Sequence, residues 1–204
     1  MARRWTQGKM KEVAAEERSG LGLGPLEPLA PYALAREHGI PVYPIDELPD
    51  EHCSKEAVAH FTITRPKVWS AALIPAGGIR LILENTGHSL TRRCSSLAHE
   101  MSHHLPEHGF DDILLTDDGC RKINSRNENE ANFLAGELLI PYQAALKAAF
   151  AGKANDEVAA THGVSPQFAQ MRSAGVFIAP GVFARHHRQD LAHRRHPEWA
   201  GHEP

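Results

Sequence analysis

The chain of 204 residues is poor in cysteine and has no long hydrophobic run. Its three cysteines, Cys53, Cys94 and Cys120, are odd in number and irregularly spaced, which argues against a fold built on disulfides. Polar residues, not an apolar stretch, follow residues 1–5, so we expect no signal peptide. No segment approaches the length that a transmembrane helix needs. These absences predict a cytoplasmic protein that does not bind membranes.

A strong charge of one sign is also lacking. The formal net charge is -3, with 22 basic and 25 acidic residues, so the protein has no overall basic field that would attract nucleic acid. A chain of this length forms one domain with appendages, and its hydrophobic fraction of 42% is enough for a buried core. The composition agrees with a cytoplasmic enzyme.

The most informative motif is a histidine pair four residues apart, His99 and His103, with Glu100 beside the first. On a helix, positions i and i+4 lie on one face about one turn apart, so both imidazoles can bind one metal ion. The glutamate then lies beside the metal, where it can accept a proton from a water molecule. Two histidines and a glutamate in this spacing are typical of zinc peptidases.

The residues around the motif predict a short, half-buried helix. Leu97, Met101 and Leu105 recur every four residues and would form a buried stripe. A serine pair at 95–96 can cap the start of the helix, and Pro106 ends it because a proline disfavours helical geometry in the residue before it. A half-buried helix of this kind suits a catalytic metal site. The alternative is a surface helix that matches the motif by chance.

Zinc in a hydrolase usually has three protein ligands and a fourth position for water, so a third ligand is expected downstream. Glu130 is the best candidate, because it opens the apolar segment 130–141, whose small residues would let a helix pack close to the metal helix. Glu128 and Glu137 are competitors. Three residues in the loop after the metal helix rank lower: His108, Asp111 and Asp112.

Two segments together resemble the ImmA/IrrE family of metallo-endopeptidases. They are LAHEMSHHL at 97–105 and EANFLAGELLIP at 130–141. The family typically has an AHE-x-x-H segment followed by E-A-N/D-x-F-A-x-E-L-L-M-P. Leu134 stands here where the family usually has phenylalanine, and Ile140 where it often has methionine, and both changes keep the helix apolar. The resemblance covers roughly residues 25–175.

The resemblance implies a gluzincin-like zinc fold. His99, His103 and Glu130 would be the metal ligands, and Glu100 would be the general base. Zinc is the metal expected from the ligand types, although manganese and iron also fit two histidines and a glutamate. Several members of the family cleave, or relieve, a helix-turn-helix repressor, which switches on a stress response or the transfer of a mobile element. The expected substrate is therefore a repressor protein of this kind.

We predict an α+β fold in which a small antiparallel sheet of about three strands packs on a zincin-type helical core, with extra helices at the C-terminus. The strands are expected at 40–44, 67–74 and 79–84, and the last two form a hairpin. If the last strand lies at an edge of the sheet, it can bind an extended substrate by strand addition. The residues concerned are Arg80, Leu81, Ile82 and Leu83. An ordinary sheet strand is the alternative, because edge exposure cannot be read from sequence.

Four regions are predicted along the chain. Residues 1–24 form an N-terminal helix and a flexible leader, and 25–150 form the metallopeptidase domain. A helix-turn-helix-like extension covers 151–184, and a tail rich in histidine and arginine, 185–204, is expected to be disordered.

Residues 155–172 resemble a helix-turn-helix, because a glycine turn separates two short helices. A DNA-reading helix needs basic and amide side chains, and the second helix offers Gln167, Gln170 and Arg172. This low basic density favours packing on the protease core, or docking of a repressor, over DNA binding. Three functions stay open: a zinc endopeptidase, a non-hydrolytic regulator that sequesters a repressor, and a DNA-binding regulator. The first is favoured because a structural zinc site has no use for Glu100.

Overall fold

The computed structural model describes residues 5–48, 53–107 and 125–177. Within these ranges the chain forms eight α-helices and three β-strands. The helices are α1 (Gln7–Gly20), α2 (Pro31–Glu37), α3 (Lys55–Ala59), α4 (Leu90–His104), α5 (Ser125–Leu139), α6 (Tyr142–Phe150), α7 (Asn155–His162) and α8 (Pro166–Phe177). The strands are β1 (Val42–Pro44), β2 (Ala71–Ala76) and β3 (Ile79–Glu84). A π-helical turn (His60–Thr64) follows α3, and short 3-10 turns cover Ile45–Glu47 and Pro66–Val68.

These elements confirm the predicted α+β fold. Each of the described helices is too short or too polar to span a lipid bilayer. Some predictions fall outside these ranges, namely the ligand candidates His108, Asp111 and Asp112 and the tail at 185–204.

The sheet has three strands, as predicted, but it is mixed and not antiparallel. The strand order is β1-β3-β2, with β3 antiparallel to β2 and parallel to β1. A tight turn joins β2 to β3, which forces them to run antiparallel. The chain from β1 to β3 is much longer and includes α3 and β2, so β3 can lie beside β1 in the parallel direction.

Strand β3 lies in the middle of the sheet. Ile82 pairs with Val42 on one side and with Leu73 on the other, and Leu83 is likewise paired on both sides. The interpretation of this strand as an exposed edge that receives substrate is therefore wrong for Ile82 and Leu83. In the described part of the chain, the side of β2 that faces away from β3 carries no further strand.

Helix α4 lies at the centre of the core and packs on α5, α2 and β2. Leu97 and Met101 are fully buried and Leu105 is partly buried, so the predicted apolar stripe is confirmed. The helix begins earlier than the serine pair at 95–96 suggested, because its N-cap is Ser89. It ends one residue before Leu105, as expected from the proline that follows.

The two C-terminal helices share a buried apolar cluster with α5 and α6, and Arg172 of α8 adds a polar contact. This side chain donates to Glu137 Oε1 at 2.8 Å and to the carbonyl of Ile140 at 2.9 and 3.0 Å. Gly136 leaves the space for it, since a Cβ there would lie 2.9 Å from the Arg172 guanidinium. The arginine that a DNA-reading helix would need is therefore half-buried in a contact with α5.

Asn85 fixes the irregular segment before β2 to the end of β3. Its side chain is fully buried, and its Nδ2 donates to three backbone carbonyls within 3.2 Å, while its Oδ1 accepts from Gly87 N at 2.9 Å. The three carbonyls belong to Phe61, Pro66 and Trp69. One side chain thus provides hydrogen bonds to three backbone carbonyls of a segment that is not part of the sheet.

Asn85→Ala is expected to lower the free energy of unfolding by about 3 kcal/mol, because each buried group left without a partner costs about 1–3 kcal/mol. Urea unfolding in the presence of a chelator measures this without a contribution from bound metal. Thr86→Ala, a change at the neighbouring residue whose hydroxyl donates to Asp46 in a solvent-exposed bond, is the control and should stay within about 0.5 kcal/mol of the parent. An equal effect of both substitutions would contradict the role assigned to Asn85.

A buried histidine makes stability depend on pH. His162 is 7% exposed, and its Nδ1 has no hydrogen-bond partner among the described residues. Burial and the nearby charge of Arg18 lower the pKa of His162 below its usual 6.5. As pH falls below 6.5, the unfolded chain binds the proton before the folded chain does, so this histidine makes the folded state less stable.

His162→Gln should therefore reduce the loss of stability between pH 7.5 and 5.5. Urea unfolding of both proteins at the two pH values, again with chelator, gives the difference. If parent and variant lost the same free energy over this interval, His162 would not contribute to the pH dependence.

Candidate metal centre

Helix α4 carries the two histidines, and helix α5 brings a glutamate opposite them. The helices pack together through small side chains, because Ala98 of α4 and Ala135 of α5 are buried in the same cluster. His99 and His103, one turn apart on α4, face Glu128 in the first turn of α5.

The donor atoms of these three side chains are spaced as ligands of one metal ion. His99 Nε2 lies 3.1 Å from His103 Nε2 and 3.2 Å from Glu128 Oε2, and His103 Nε2 lies 3.5 Å from Glu128 Oε1. Around a tetrahedral zinc ion with bonds of about 2.0–2.1 Å, neighbouring ligand atoms are ~3.3 Å apart. The residues present therefore fit a metal ion without rearrangement, and a donor set of two imidazoles and one carboxylate is one that zinc accepts.

Glu100 lies beside this cluster and is fixed by the edge of the sheet. It is 7% exposed, and its Oε2 accepts the backbone N–H of Leu73 at 2.9 Å. Asn85 N donates to Ser70 O, so residues 70, 72 and 74 bond to β3 and the N–H of Leu73 points to the outer side of β2. The carboxylate predicted to be the base is thus held between the candidate metal ligands and the outer edge of β2.

The carboxylates around His99 make the site suitable for a cation. Burial alone lowers the pKa of His99, but the hydrogen bond to Glu128 and the charges of Glu100 and Glu128 outweigh it, and Asn132 adds a further hydrogen bond. The net result is a raised pKa for His99 in the metal-free protein. Two carboxylates therefore favour positive charge at this point, whether it is a proton or a metal ion.

Glu130, the third ligand predicted from the sequence, does not lie with the two histidines. It is two residues beyond Glu128, which on a helix is a rotation of about 200°. Its Oε1 accepts from Arg126 Nε at 3.0 Å, and it lines a cavity of about 590 Å³ next to Trp5 and Phe133. The structure thus brings together His99, His103 and Glu128, the competitor that ranked behind Glu130.

Two other sequence candidates serve different contacts. Glu137 is buried, pairs with Arg172 of α8 and accepts from Tyr142 N of α6. It therefore connects α5 to two other helices and is not one of the candidate metal ligands. Arg80, the first residue of the proposed substrate strand, contacts His104 Nδ1 at 3.0 Å at the C-terminal end of α4. Burial and the Arg80 charge lower the pKa of His104.

Sequence comparison agrees with this arrangement. The family model for M78 peptidases, described as the IrrE N-terminal-like domain, matches residues 35–174. No curated protein matches the chain significantly. The matched range covers more than half of the chain and contains α4, α5 and all three candidate metal ligands. The chain therefore belongs to the ImmA/IrrE type of M78 metallopeptidases.

Proposed function

We propose that the protein is a zinc-dependent, site-specific endopeptidase that cleaves a helix-turn-helix repressor in a stress-response or mobile-element switch. The observation that carries the catalytic part is the spacing of 3.1–3.5 Å between the donor atoms of His99, His103 and Glu128. Glu100 lies directly beside them. A structural metal site needs no such neighbouring carboxylate, whereas a hydrolytic site does.

In this mechanism His99, His103 and Glu128 would hold the ion, and Glu100 would move the proton. When bound, a divalent ion lowers the pKa of water and polarises the peptide carbonyl. Glu100 accepts the proton of the attacking water and passes it to the nitrogen of the leaving group. The N–H of Leu73 holds one carboxylate oxygen, so the carboxylate does not have to be oriented during the reaction.

The outer side of β2 is the surface on which we expect an extended substrate to bind. Ala71 directs its N–H and C=O outward and Leu73 its C=O, and strand addition uses such groups to hold a peptide. The N–H of Leu73 is already bound by Glu100. Leu73 also contacts Glu100, so a peptide on this edge lies next to the base. Strand β2 replaces β3 as the proposed substrate strand.

The choice of zinc rests on the ligand types, since two imidazoles and one carboxylate are common in zinc hydrolases. Manganese and iron accept the same set. Elemental analysis of protein purified without added metal, followed by activity after replacement with each ion, distinguishes them. DNA binding receives no support from α8, because Arg172 is paired with Glu137.

The proposal is tested by incubating the parent protein and Glu100→Gln with helix-turn-helix repressors from the same organism. Each mixture is prepared with and without zinc and measured by intact-mass spectrometry. A single cut that needs both zinc and Glu100 is the expected result. Binding of a repressor without any cut, with metal present, would replace the proposal by a sequestering regulator.

A further inference from the structure

The outer edge of β2 has unusual chemistry at the end where the strand begins. Two segments meet there: residues 60–70 and residues 87–92. A Cβ at Gly87 would clash with the backbone carbonyl of Thr62, so the segments touch at that glycine. Ser70 Oγ then joins them, because it bonds His88 Nε2 at 3.2 Å and accepts from Arg92 Nη2 at 3.0 Å. We call this region the basic corner.

Three exposed cations lie in the basic corner: Arg65, Lys67 and Arg92. Among the described residues no carboxylate forms an ion pair with any of them. The neighbouring Arg93 is different, because it is paired with Glu84 at 2.5 Å and held inside the fold. Arg92 therefore keeps its charge available to a molecule that binds along the outer edge of β2.

The same corner exposes apolar side chains. Ile63 is 78% exposed, Val68 52% and Leu90 63%. Apolar groups between cations are complementary to a peptide that has both acidic and apolar residues, since the cations pair with the carboxylates while the apolar groups leave water. A basic or purely polar segment would gain neither contact.

The distance from Arg92 to Glu100 follows from the rise per residue of both β2 and α4. Ser70, the partner of Arg92, is three residues before Leu73, which contacts Glu100, and this is about 10 Å along a strand. Along α4, Arg92 is eight residues before Glu100, which is about 12 Å. The two distances agree, so a peptide that runs along β2 brings its third or fourth residue from the cleaved bond to Arg92.

We propose that Arg92, supported by Arg65 and Lys67, determines specificity by binding an acidic side chain three to four residues from the cleaved bond, and that the substrate segment there is acidic and apolar. This inference rests on the proposed peptidase function. A guanidinium binds a carboxylate through two parallel hydrogen bonds, so an arginine at this point selects for both charge and geometry.

The test is cleavage of a proteome-derived peptide library, with the cut sites identified by mass spectrometry. The parent should enrich Asp and Glu about two- to five-fold at one position three to four residues from the bond. Arg92→Ala should remove this enrichment, and Arg92→Glu should replace it with Lys and Arg. Arg36→Glu, which changes an exposed arginine of α2 in the same way, should keep the parent profile.

The outcomes separate the two proposals. Zinc-dependent cuts with no acidic preference, or with a preference that survives in Arg92→Glu, would overturn the role of Arg92 and leave the peptidase intact. If the parent produced no cut beyond those of Glu100→Gln, the peptidase proposal would fail and the specificity proposal with it. Metal content is measured for every variant, and equal content shows that a changed profile is not caused by loss of the ion.

Discussion

Glu100→Gln is expected to abolish peptide hydrolysis while the metal stays bound. Removal of a positioned general base lowers the rate by a factor of about 10²–10⁴, because glutamine cannot accept the proton of the attacking water. Glutamine keeps the size of the side chain, and its amide oxygen can still accept the N–H of Leu73. The measurements are kcat/KM on a cleaved peptide and metal content by elemental analysis.

The choice of glutamine matters for this experiment. Glu100→Ala would leave the N–H of Leu73 without its acceptor at a buried position, so a loss of activity could come from the strand and not from the base. His99→Ala is the matched control for the metal and should lose ion and activity together. Full kcat/KM in pure Glu100→Gln would refute the mechanism.

The motif could be predicted from the sequence because its geometry is local. His99 and His103 lie in one helix, four residues apart. The helical geometry therefore places both imidazoles on one face, one turn apart, whatever surrounds them. The buried stripe of Leu97 and Met101 was equally local. Both features follow from the helical period alone.

The third carboxylate could not be chosen in the same way, because it depends on which face of α5 meets α4. The small residues of α5 indicate which face of the helix packs on α4. Ala131 and Ala135 are both buried, and Glu128 precedes them by three and seven residues, so it shares their face. Glu130 lies on the other side, toward α1. The face of the helix, and not the first acidic residue of the apolar segment, was the better guide.

The order of the strands also depends on distant parts of the chain. The β2–β3 hairpin follows from its turn, but the position of β1 beside β3 requires the connection through α3 to fold back. That connection is held by the side chain of Asn85, which bonds to carbonyls 16 to 24 residues away. Neither periodicity nor spacing in the sequence indicates such contacts.

The identity of the third ligand gives the second large effect that we expect. Glu128→Gln should weaken metal binding more than about 100-fold, since even residues that only orient a ligand contribute 10- to 100-fold. Glu130→Gln should change the affinity by no more than a few fold, because its partner is Arg126 and an amide oxygen can still accept that bond. Both variants lose one negative charge, so the comparison controls for the net charge of α5.

Competition with a chelator of known affinity measures both variants under the same conditions. The expected order is parent and Glu130→Gln close together, with Glu128→Gln far weaker. The reverse order would require α5 to rotate by about 200° and would separate Ala135 from Ala98. Such a rotation would also break the contact of Glu137 with Arg172, so it would lower the stability of the fold as well as change the ligand. Metal affinity and unfolding in chelator, measured on the same variants, therefore test the packing of α5 as well as the ligand it provides.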